Sequence, residues 1–164
     1  MIGPAQIVAL LVAAQRLGEL AYARRNTQIL MAAGGVEHGA RHYPLIVALH
    51  CGWLAALFAL VPPDARPNWW LLGGYGLLQL ARLWIVVSLG GRWTTRVIAL
   101  PGASHVRRGP YRFLRHPNYL VVAVEIPLLP LAFGAWQIAL GFGLANLALL
   151  AHRIRIEERA LAET

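Results

Sequence analysis

Five apolar segments constrain this chain more than any other feature of its sequence. They cover residues 2–23, 43–61, 69–89, 118–133 and 135–151. A bilayer core about 30 Å thick requires about 20 helical residues, so the first three segments are long enough to cross it. The last two are shorter, and Pro127 and Pro130 lie in the fourth, where proline kinks or ends a helix. Residues 118–151 are therefore predicted to form a short helical hairpin that turns at residues 133–136.

The composition supports a membrane protein. Hydrophobic residues make up 58% of the chain and charged residues 13%, far from the balance of a soluble globular protein. The predicted fold class is all-α: an integral membrane protein with about five transmembrane helices, the last two a short helical hairpin. We expect one membrane domain, residues 1–164, in which residues 1–89 supply three spans and residues 90–164 supply a long loop, the hairpin and a tail helix.

Arginine placement predicts the orientation of the spans. The fifteen basic residues are all arginine, and the formal net charge is +8. With five spans and the amino terminus outside, twelve of the fifteen arginines fall on the cytoplasmic side, where short loops normally collect them. A four-span chain would separate the arginine-rich loop from the tail. We therefore expect a protein of the cell inner membrane whose long loop and carboxyl terminus are cytoplasmic.

Two kinds of partner are not expected. A basic protein can bind nucleic acid, but the apolar runs leave little room for a soluble basic face. Cys51 is the one cysteine, and the six histidines show no metal-ligand spacing. We therefore predict neither a nucleic-acid partner nor a metal.

The sequence RHPNYL places polar residues where the fourth span begins. Pro117 suits the first helical position, because its missing N–H would be unpaired there in any residue. A helix start with Arg115 and His116 beside it favours a carboxylate or phosphate ligand. The alternative is that Arg115 contacts lipid headgroups while Tyr111 and Tyr119 form an interfacial aromatic belt.

A second polar cluster follows the fifth span. Arg153 and Glu157 are four residues apart on one predicted helix, and Glu158 is the next residue. Such a pair is often a surface contact worth a few tenths of a kcal/mol. Here it directly follows an apolar span, which places it at the same membrane face as the RHPNYL segment.

These features together resemble a known family. The segment GPYRFLRHPNYL, the short proline-containing hairpin and the segment RIRIEERAL resemble the isoprenylcysteine carboxyl methyltransferase family, integral membrane enzymes that use S-adenosylmethionine. The resemblance covers about the last 75 residues, from RWTTRVIALPG onward. The first three spans match only in being apolar.

The resemblance implies specific roles for these residues. It implies that the long loop, the start of the fourth span and the tail bind S-adenosyl-L-methionine through His105, Val106, Tyr111, His116, Pro117, Asn118, Tyr119 and Glu157. It implies that Arg153 is the catalytic residue that positions the methyl acceptor. It also implies that Glu158, the neighbour of Glu157, belongs to the substrate site. The active site is then expected at the cytoplasmic face.

The resemblance also implies an activity. We expect an S-adenosylmethionine-dependent membrane O-methyltransferase acting on a lipophilic small molecule, with membrane lipid as its surroundings. A relative this short, with the RWTTRVIALPG loop, looks more like the bacterial members of the family that methylate hydroxyls of lipidic polyketides such as alkylpyrones and alkylresorcinols. Three alternatives stay open: isoprenylcysteine carboxyl methylation, a nicotinamide-dependent membrane reductase and a non-catalytic membrane scaffold.

Two ionisable residues fall inside the predicted spans, Arg82 in the third and Glu125 in the fourth. Intramembrane charges are costly and usually face a cavity or each other. A structural salt bridge between them is one interpretation. The other is that Glu125 lines the acceptor pocket.

Overall fold

The computed structural model of the protein describes residues 2–102 and 107–162. Its main elements are five α-helices: α1 (Pro4–Ala32), α2 (Tyr43–Leu60), α3 (Trp69–Leu89), α4 (Pro117–Ala132) and α5 (Trp136–Ala162). Three short 3-10 turns, Ala40–His42, Gly90–Arg92 and Gly109–Arg112, lie between them. The predicted all-α class and its five helices are confirmed.

Hydropathy separates the five helices into two groups. Among the described residues, three helical stretches are long and apolar enough to cross a membrane: Ala40–Leu60, Trp69–Arg92 and Trp136–Arg159. Helix α4 is apolar but only 16 residues long. Helix α1 is long enough, at 29 residues, but Gln15, Arg16 and Glu19 near its middle lower its hydropathy.

The helices run alternately up and down, so the polar segments gather at two ends. At one end, the Gln6 side chain donates to the carbonyls of Phe58 and Val61, at 3.1 and 2.7 Å. There the amide of Asn68 also donates to the carbonyl of Ala132 at 2.7 Å. We call this the hairpin end, because the α4–α5 turn lies there. The opposite end, with residues 33–42, 90–102, 107–116 and the last turns of α5, is the arginine end.

A small sheet that the sequence did not predict joins the chain at the arginine end. Strand β1 (Val36–His38) pairs antiparallel with β2 (Val97–Ala99), Val36 facing Ala99. Arg96 donates to both carboxylate oxygens of Glu37, at 2.8 and 2.9 Å. The tail of α5 packs against both strands. The segment after α1 and the long loop are therefore fastened to each other and to the tail.

Helix α4 occupies the centre of the bundle. It packs against α3 on one side and α5 on the other, and its side chains Ile126 and Leu129 are fully buried with Trp53 and Leu57 of α2. Without a hydrophobic driving force inside lipid, such contacts stabilise a bundle through close packing. Pro127 and Pro130 lie within α4, which ends at residue 132, and the chain turns at Gly134 with a positive φ of 72°.

Four charged residues form a closed ionic ring inside the bundle. Glu125 Oε1 accepts hydrogen bonds from Arg16 and Arg82, at 2.7 and 2.6 Å. Glu19 Oε2 accepts from the same two arginines, at 2.7 and 3.4 Å. The ring joins α1, α3 and α4, and its two positive and two negative charges cancel. The Arg82–Glu125 pair considered from the sequence therefore forms, but as half of a four-residue network.

Two glutamines add hydrogen bonds to the carboxylates of the ionic ring, whereas the buried Nε atoms of Arg16 and Arg82 have no hydrogen-bond partner among the described residues. Gln15 donates to Glu19 Oε1 at 3.0 Å and to the Gln79 carbonyl oxygen at 2.9 Å. Gln79 in turn donates to Glu125 Oε2 at 3.3 Å. All four carboxylate oxygens thus accept a hydrogen bond, as buried charges require.

Candidate functional site

The start of α4 lies at the arginine end. Pro117 is buried and occupies the first turn of the helix, as expected. The carbonyl of His116 accepts from the amides of Tyr119 and Leu120, at 3.1 and 3.3 Å. These two amides are therefore occupied, so a ligand at this helix start would depend mainly on side chains.

Four side chains meet between the start of α4 and the last turns of α5, and we call them the interfacial cluster: His116, Tyr119, Arg153 and Glu157. The Tyr119 hydroxyl donates to Glu157 and accepts from Arg153 Nε at 2.9 Å. The His116 ring stacks on Tyr119, with centroids 5.3 Å apart. His116 Nδ1 lies 3.8 Å from Glu157 Oε1. A phenol thus connects a carboxylate to a guanidinium.

Helix spacing explains why these four residues meet. His116 and Tyr119 are three residues apart at one helix start, while Arg153 and Glu157 are four apart, so each pair shares one face of its helix. The helices pack closely as a hairpin, and Asn146 fixes their relative position by donating to the Val122 carbonyl at 3.2 Å. The turn at the far end thus aligns two sequence-distant polar pairs.

Tyr111 lies beside the interfacial cluster on the turn that precedes α4. Its ring is half-buried and packs against the buried side chains of Ile85, Trp93 and Val121. Burial raises the pKa of the Tyr111 phenol above its usual value, and the neighbouring Glu157 carboxylate raises it further. Tyr111 therefore stays protonated at neutral pH and remains a hydrogen-bond donor.

Asn118 supplies an acceptor that the described residues leave without a hydrogen-bond partner. Its side-chain Oδ1 is buried, and Asn118 lies on the same face of α4 as Val122 and Glu125, which are four and seven residues further on. A buried polar atom is normally hydrogen-bonded. A ligand with N–H or O–H donors, bound beside the interfacial cluster, would satisfy it.

The other predicted site residues lie in different surroundings. Glu158 is exposed, and Glu125 lies fully buried in the ionic ring, where both its oxygens are engaged. A role of either residue toward an acceptor stays a prediction. His105 and Val106 lie outside the described residues.

His42 is a neighbour of the site that the sequence did not indicate. It precedes α2, is buried, and contacts the ring of His152 edge-on with centroids 5.7 Å apart. It also lies close enough to Arg153 to interact electrostatically with it. The sequence did not indicate this contact, because His42 and His152 are 110 residues apart and no local pattern connects them.

The arrangement suits an organic ligand with charges of both signs. Glu157 offers a negative charge, and Arg153 offers a positive charge on the other side of the Tyr119 hydroxyl, which bonds to both. Tyr111, Asn118 and His116 add further polar groups. Within residues 2–102 and 107–162, no group of three or more histidine, cysteine or acidic side chains has the geometry of a metal site. The residues present therefore fit a zwitterionic molecule such as an amino-acid conjugate.

Comparisons with known proteins place this site in a recognised context. The model of the isoprenylcysteine carboxyl methyltransferase (ICMT) family matches residues 71–163, a range that contains the interfacial cluster. The chain is 38% identical to the uncharacterized protein YpbQ of Bacillus subtilis (strain 168) over 161 residues, which cover 96% of this chain and 95% of the relative. It is 27% identical over 156 residues to an uncharacterized protein of Haemophilus influenzae, covering 92% and 91%. No solved structure gives a significant match.

Proposed function

The chain belongs to the isoprenylcysteine carboxyl methyltransferase family, whose members are methyltransferases that generally use S-adenosylmethionine, and from this premise we propose that it is an S-adenosylmethionine-dependent membrane O-methyltransferase. The proposed acceptor is a lipophilic molecule with a phenol or enol hydroxyl, such as an alkylresorcinol or alkylpyrone. Isoprenylcysteine carboxyl methylation, which the family's description names, is the second candidate.

One observation carries this proposal: the interfacial cluster lies where an apolar hairpin leaves the membrane. A water-soluble zwitterionic cofactor can reach it from the arginine end. A lipophilic acceptor can reach it from the bilayer, because Leu120 and Val124 on α4 are exposed. The two reactants of a lipid methylation therefore have access to the same polar cluster from opposite directions.

The cofactor-binding residues would be Glu157, His116, Tyr119 and Asn118, with Tyr111 beside them. When bound, S-adenosylmethionine supplies an electrophilic methyl group. The Glu157 carboxylate favours the cofactor's positive charges, and the unpartnered Asn118 Oδ1 accepts from one of its donors. Tyr119 holds Glu157 in place through its hydroxyl, so the carboxylate is already oriented before the cofactor arrives.

Arg153 would orient the acceptor. Its Nε is used by Tyr119, which fixes the guanidinium plane and leaves the terminal nitrogens for an acceptor oxygen. In the proposed reaction, a hydroxyl acceptor would first lose its proton to solvent water at the arginine end, and its oxygen would then take the methyl group of the bound cofactor, whose methyl–sulfur electron pair would remain on sulfur. A charge-assisted hydrogen bond from Arg153 stabilises the acceptor as an oxyanion before the transfer. Alignment and exclusion of water supply the rest of the acceleration.

The experiment that tests the proposal uses the purified full-length protein with methyl-labelled S-adenosylmethionine. Separate reactions contain an alkylresorcinol, an alkylpyrone, a farnesylated cysteine or a bacterial lipid extract, and mass spectrometry detects the methylated product. We expect label in a phenolic or enolic lipid. Label in farnesyl-cysteine alone would select the second candidate. No label in any acceptor, with reduction of a lipid in a parallel reaction with a nicotinamide cofactor, would replace the proposal with a reductase.

The proposed orientation places the arginine end in the cytoplasm of a bacterial cell, at the inner membrane, with the amino terminus outside. This proposal is supported by the arginine-rich segments, which converge at one end of the bundle. Short cytoplasmic loops normally carry an excess of arginine and lysine. A reporter fused after Thr164 should be active in the cytoplasm. A periplasmic signal from this fusion would reverse the orientation and separate the site from its cofactor.

A further inference from the structure

A short loop beside the site combines exposed arginines with exposed apolar side chains. We call residues 107–115 the arginine–apolar loop. Its four arginines are exposed: Arg107, Arg108, Arg112 and Arg115. Between them, Phe113 is 78% exposed and Leu114 45%. Among the described residues, no carboxylate lies within ion-pair distance of these guanidiniums.

The contact between this loop and α3 indicates how deep the loop lies in the membrane. Gly109, with a positive φ of 52°, lies so close to α3 that an added Cβ would collide with the Ser88 side chain and lie 3.1 Å from Trp84 Nε1. Both residues belong to the last two turns of α3 and lie within the apolar stretch Trp69–Arg92. The loop therefore folds back alongside the membrane-crossing part of α3 and does not project away from it.

The side chains around the loop indicate the surface of a bilayer. On α3, Leu83, Trp84 and Val87 are exposed, as expected of residues that face lipid. Phe113 and Leu114 directly follow the turn Gly109–Arg112, which packs against α3, and Arg112 and Arg115 flank them in the sequence. An exposed Phe–Leu pair would be unfavourable in water, whereas acyl chains would cover it, and phosphate groups would neutralise arginines at that depth.

From this placement we propose that the arginine–apolar loop is a binding surface for anionic phospholipid, with Phe113 and Leu114 in the acyl region and the arginines on the headgroup phosphates. Arg112 fits this role directly, because its guanidinium carbon lies 6.0 Å from the Phe113 ring centroid, so a headgroup and an acyl chain of one lipid can be contacted together. The surface is continuous with His116, the next residue after the loop, so bound lipid would border the entrance to the interfacial cluster.

The first test counts bound lipids. Full-length protein in detergent is titrated with phosphatidylglycerol or phosphatidylcholine and examined by native mass spectrometry. We expect preferential retention of phosphatidylglycerol, and an apparent affinity roughly tenfold or more lower in the Arg108→Gln/Arg112→Gln variant. The matched control is Arg24→Gln/Arg25→Gln, which removes two exposed arginines of α1 at the same end and should change the affinity less than twofold.

Three results would overturn the proposal. Equal losses in both double variants would mean that net charge alone attracts the lipid. Displacement of the phosphatidylglycerol by millimolar inorganic phosphate would mean that the loop holds a soluble anion and not a lipid. A change of oligomeric state in the Phe113→Ser variant, with lipid retention intact, would identify a protein–protein contact and equally contradict it.

The second test measures depth and does not depend on the affinity of one lipid. A nitroxide is attached to Phe113→Cys in a Cys51→Ser background, because Cys51 is itself exposed, and the protein is reconstituted in vesicles containing phosphatidylglycerol. We expect the label to collide more often with dissolved oxygen than with a water-soluble nickel complex. A label at Asp64→Cys, in an exposed turn at the hairpin end, provides the aqueous reference. Equal nickel accessibility at the two positions would overturn the proposal.

Discussion

The ionic ring and the interfacial cluster use the same residue types under different conditions. In the ring, side chains of Glu125 and Arg82 are 0% and 5% exposed, and each carboxylate accepts from both arginines. In the interfacial cluster, Glu157 is 29% exposed, and a single carboxylate and a single guanidinium meet through the Tyr119 phenol. The carboxylate oxygens of the ring therefore all accept hydrogen bonds from protein groups, while the Glu157 carboxylate of the cluster is partly open to solvent.

The difference in exposure offers a way to distinguish structural charges from ligand-binding charges in a membrane bundle. Buried ions lose much hydration, so removing one partner leaves an uncompensated charge at high cost. A partly exposed pair loses less and retains hydrogen-bonding capacity for another molecule. Variants of the ring should therefore change stability first, and variants of the cluster should change binding or turnover first.

The largest expected effect comes from breaking the ionic ring. Glu125→Ala leaves Arg16 and Arg82 with only Glu19 between them, and should destabilise the protein by about 3–5 kcal/mol. Thermal unfolding in detergent, followed by intrinsic fluorescence, measures this change. The Arg82→Met/Glu125→Leu variant removes one positive and one negative charge together and should recover most of the stability. Similar unfolding temperatures for Glu125→Ala and wild type would show that the ring does not hold the helices.

A smaller effect, on turnover, should follow from Arg153→Lys in the interfacial cluster. Lysine keeps the charge but loses the planar guanidinium, which donates to Tyr119 and in the proposed reaction would also contact the acceptor. Turnover at saturating cofactor should fall roughly tenfold or more if one charged hydrogen bond of about 1.5 kcal/mol or greater is lost. The affinity for S-adenosylhomocysteine, measured by calorimetric titration, should stay near wild type. Weakened cofactor binding with unchanged turnover would assign Arg153 to the cofactor.

Glu157→Gln should act on the other reactant, and more moderately. Glutamine can still accept from the Tyr119 hydroxyl, but it no longer offers a negative charge to the cofactor. We expect severalfold weaker S-adenosylhomocysteine binding in the same calorimetric titration, with the unfolding temperature little changed. Glu158→Gln, one residue away and exposed, is the matched control. Equal effects of both substitutions would indicate a general charge effect at this end of the bundle.

The smallest effect is expected for Tyr111→Phe, and it concerns how the protein responds to pH. Because burial and Glu157 raise the pKa of the Tyr111 phenol, this group does not ionise between pH 6 and about pH 9, below the usual tyrosine value of about 10. The pH profiles of wild type and variant should therefore be parallel over that range. Above about pH 10 the unfolded chain releases this proton first, so the wild type should lose stability with rising pH more steeply than the variant. Profiles that diverge near neutral pH would contradict the raised pKa.

The helices could be predicted well because their signals are local. The apolar runs located α2 and α3 to within one residue, and Pro117 marked the start of α4. The prediction for α1 was too short, since α1 continues to Ala32 through a polar stretch that no hydropathy pattern extends. Strands β1 and β2 are three residues each, and nothing local indicates that they pair.

The polar contacts divide in the same way. Arg82 and Glu125 could be paired from the sequence because an unpaired charge inside a membrane is energetically costly. Their contacts with Arg16 and Glu19 depend on how α1 packs, which helix periodicity does not specify. The meeting of the RHPNYL segment with the tail followed from a family resemblance and from shared membrane depth. The Tyr119 hydroxyl as the link between Arg153 and Glu157 required coordinates, because the rotation of α4 against α5 decides it.

The unbroken course of α5 has a consequence for which changes of chain length the protein tolerates. Asn146 is anchored to α4, and Arg153 and Glu157 follow it by seven and eleven residues, so all three share one helical phase within about 20°. One inserted or deleted residue between Asn146 and Arg153 would turn the two site residues by about 100° and move them by about 1.5 Å. We expect natural variants to differ in length at residues 62–68, outside the helices. We expect them to keep the number of residues between Asn146 and Glu157, even where lipid-facing residues of α5 are exchanged.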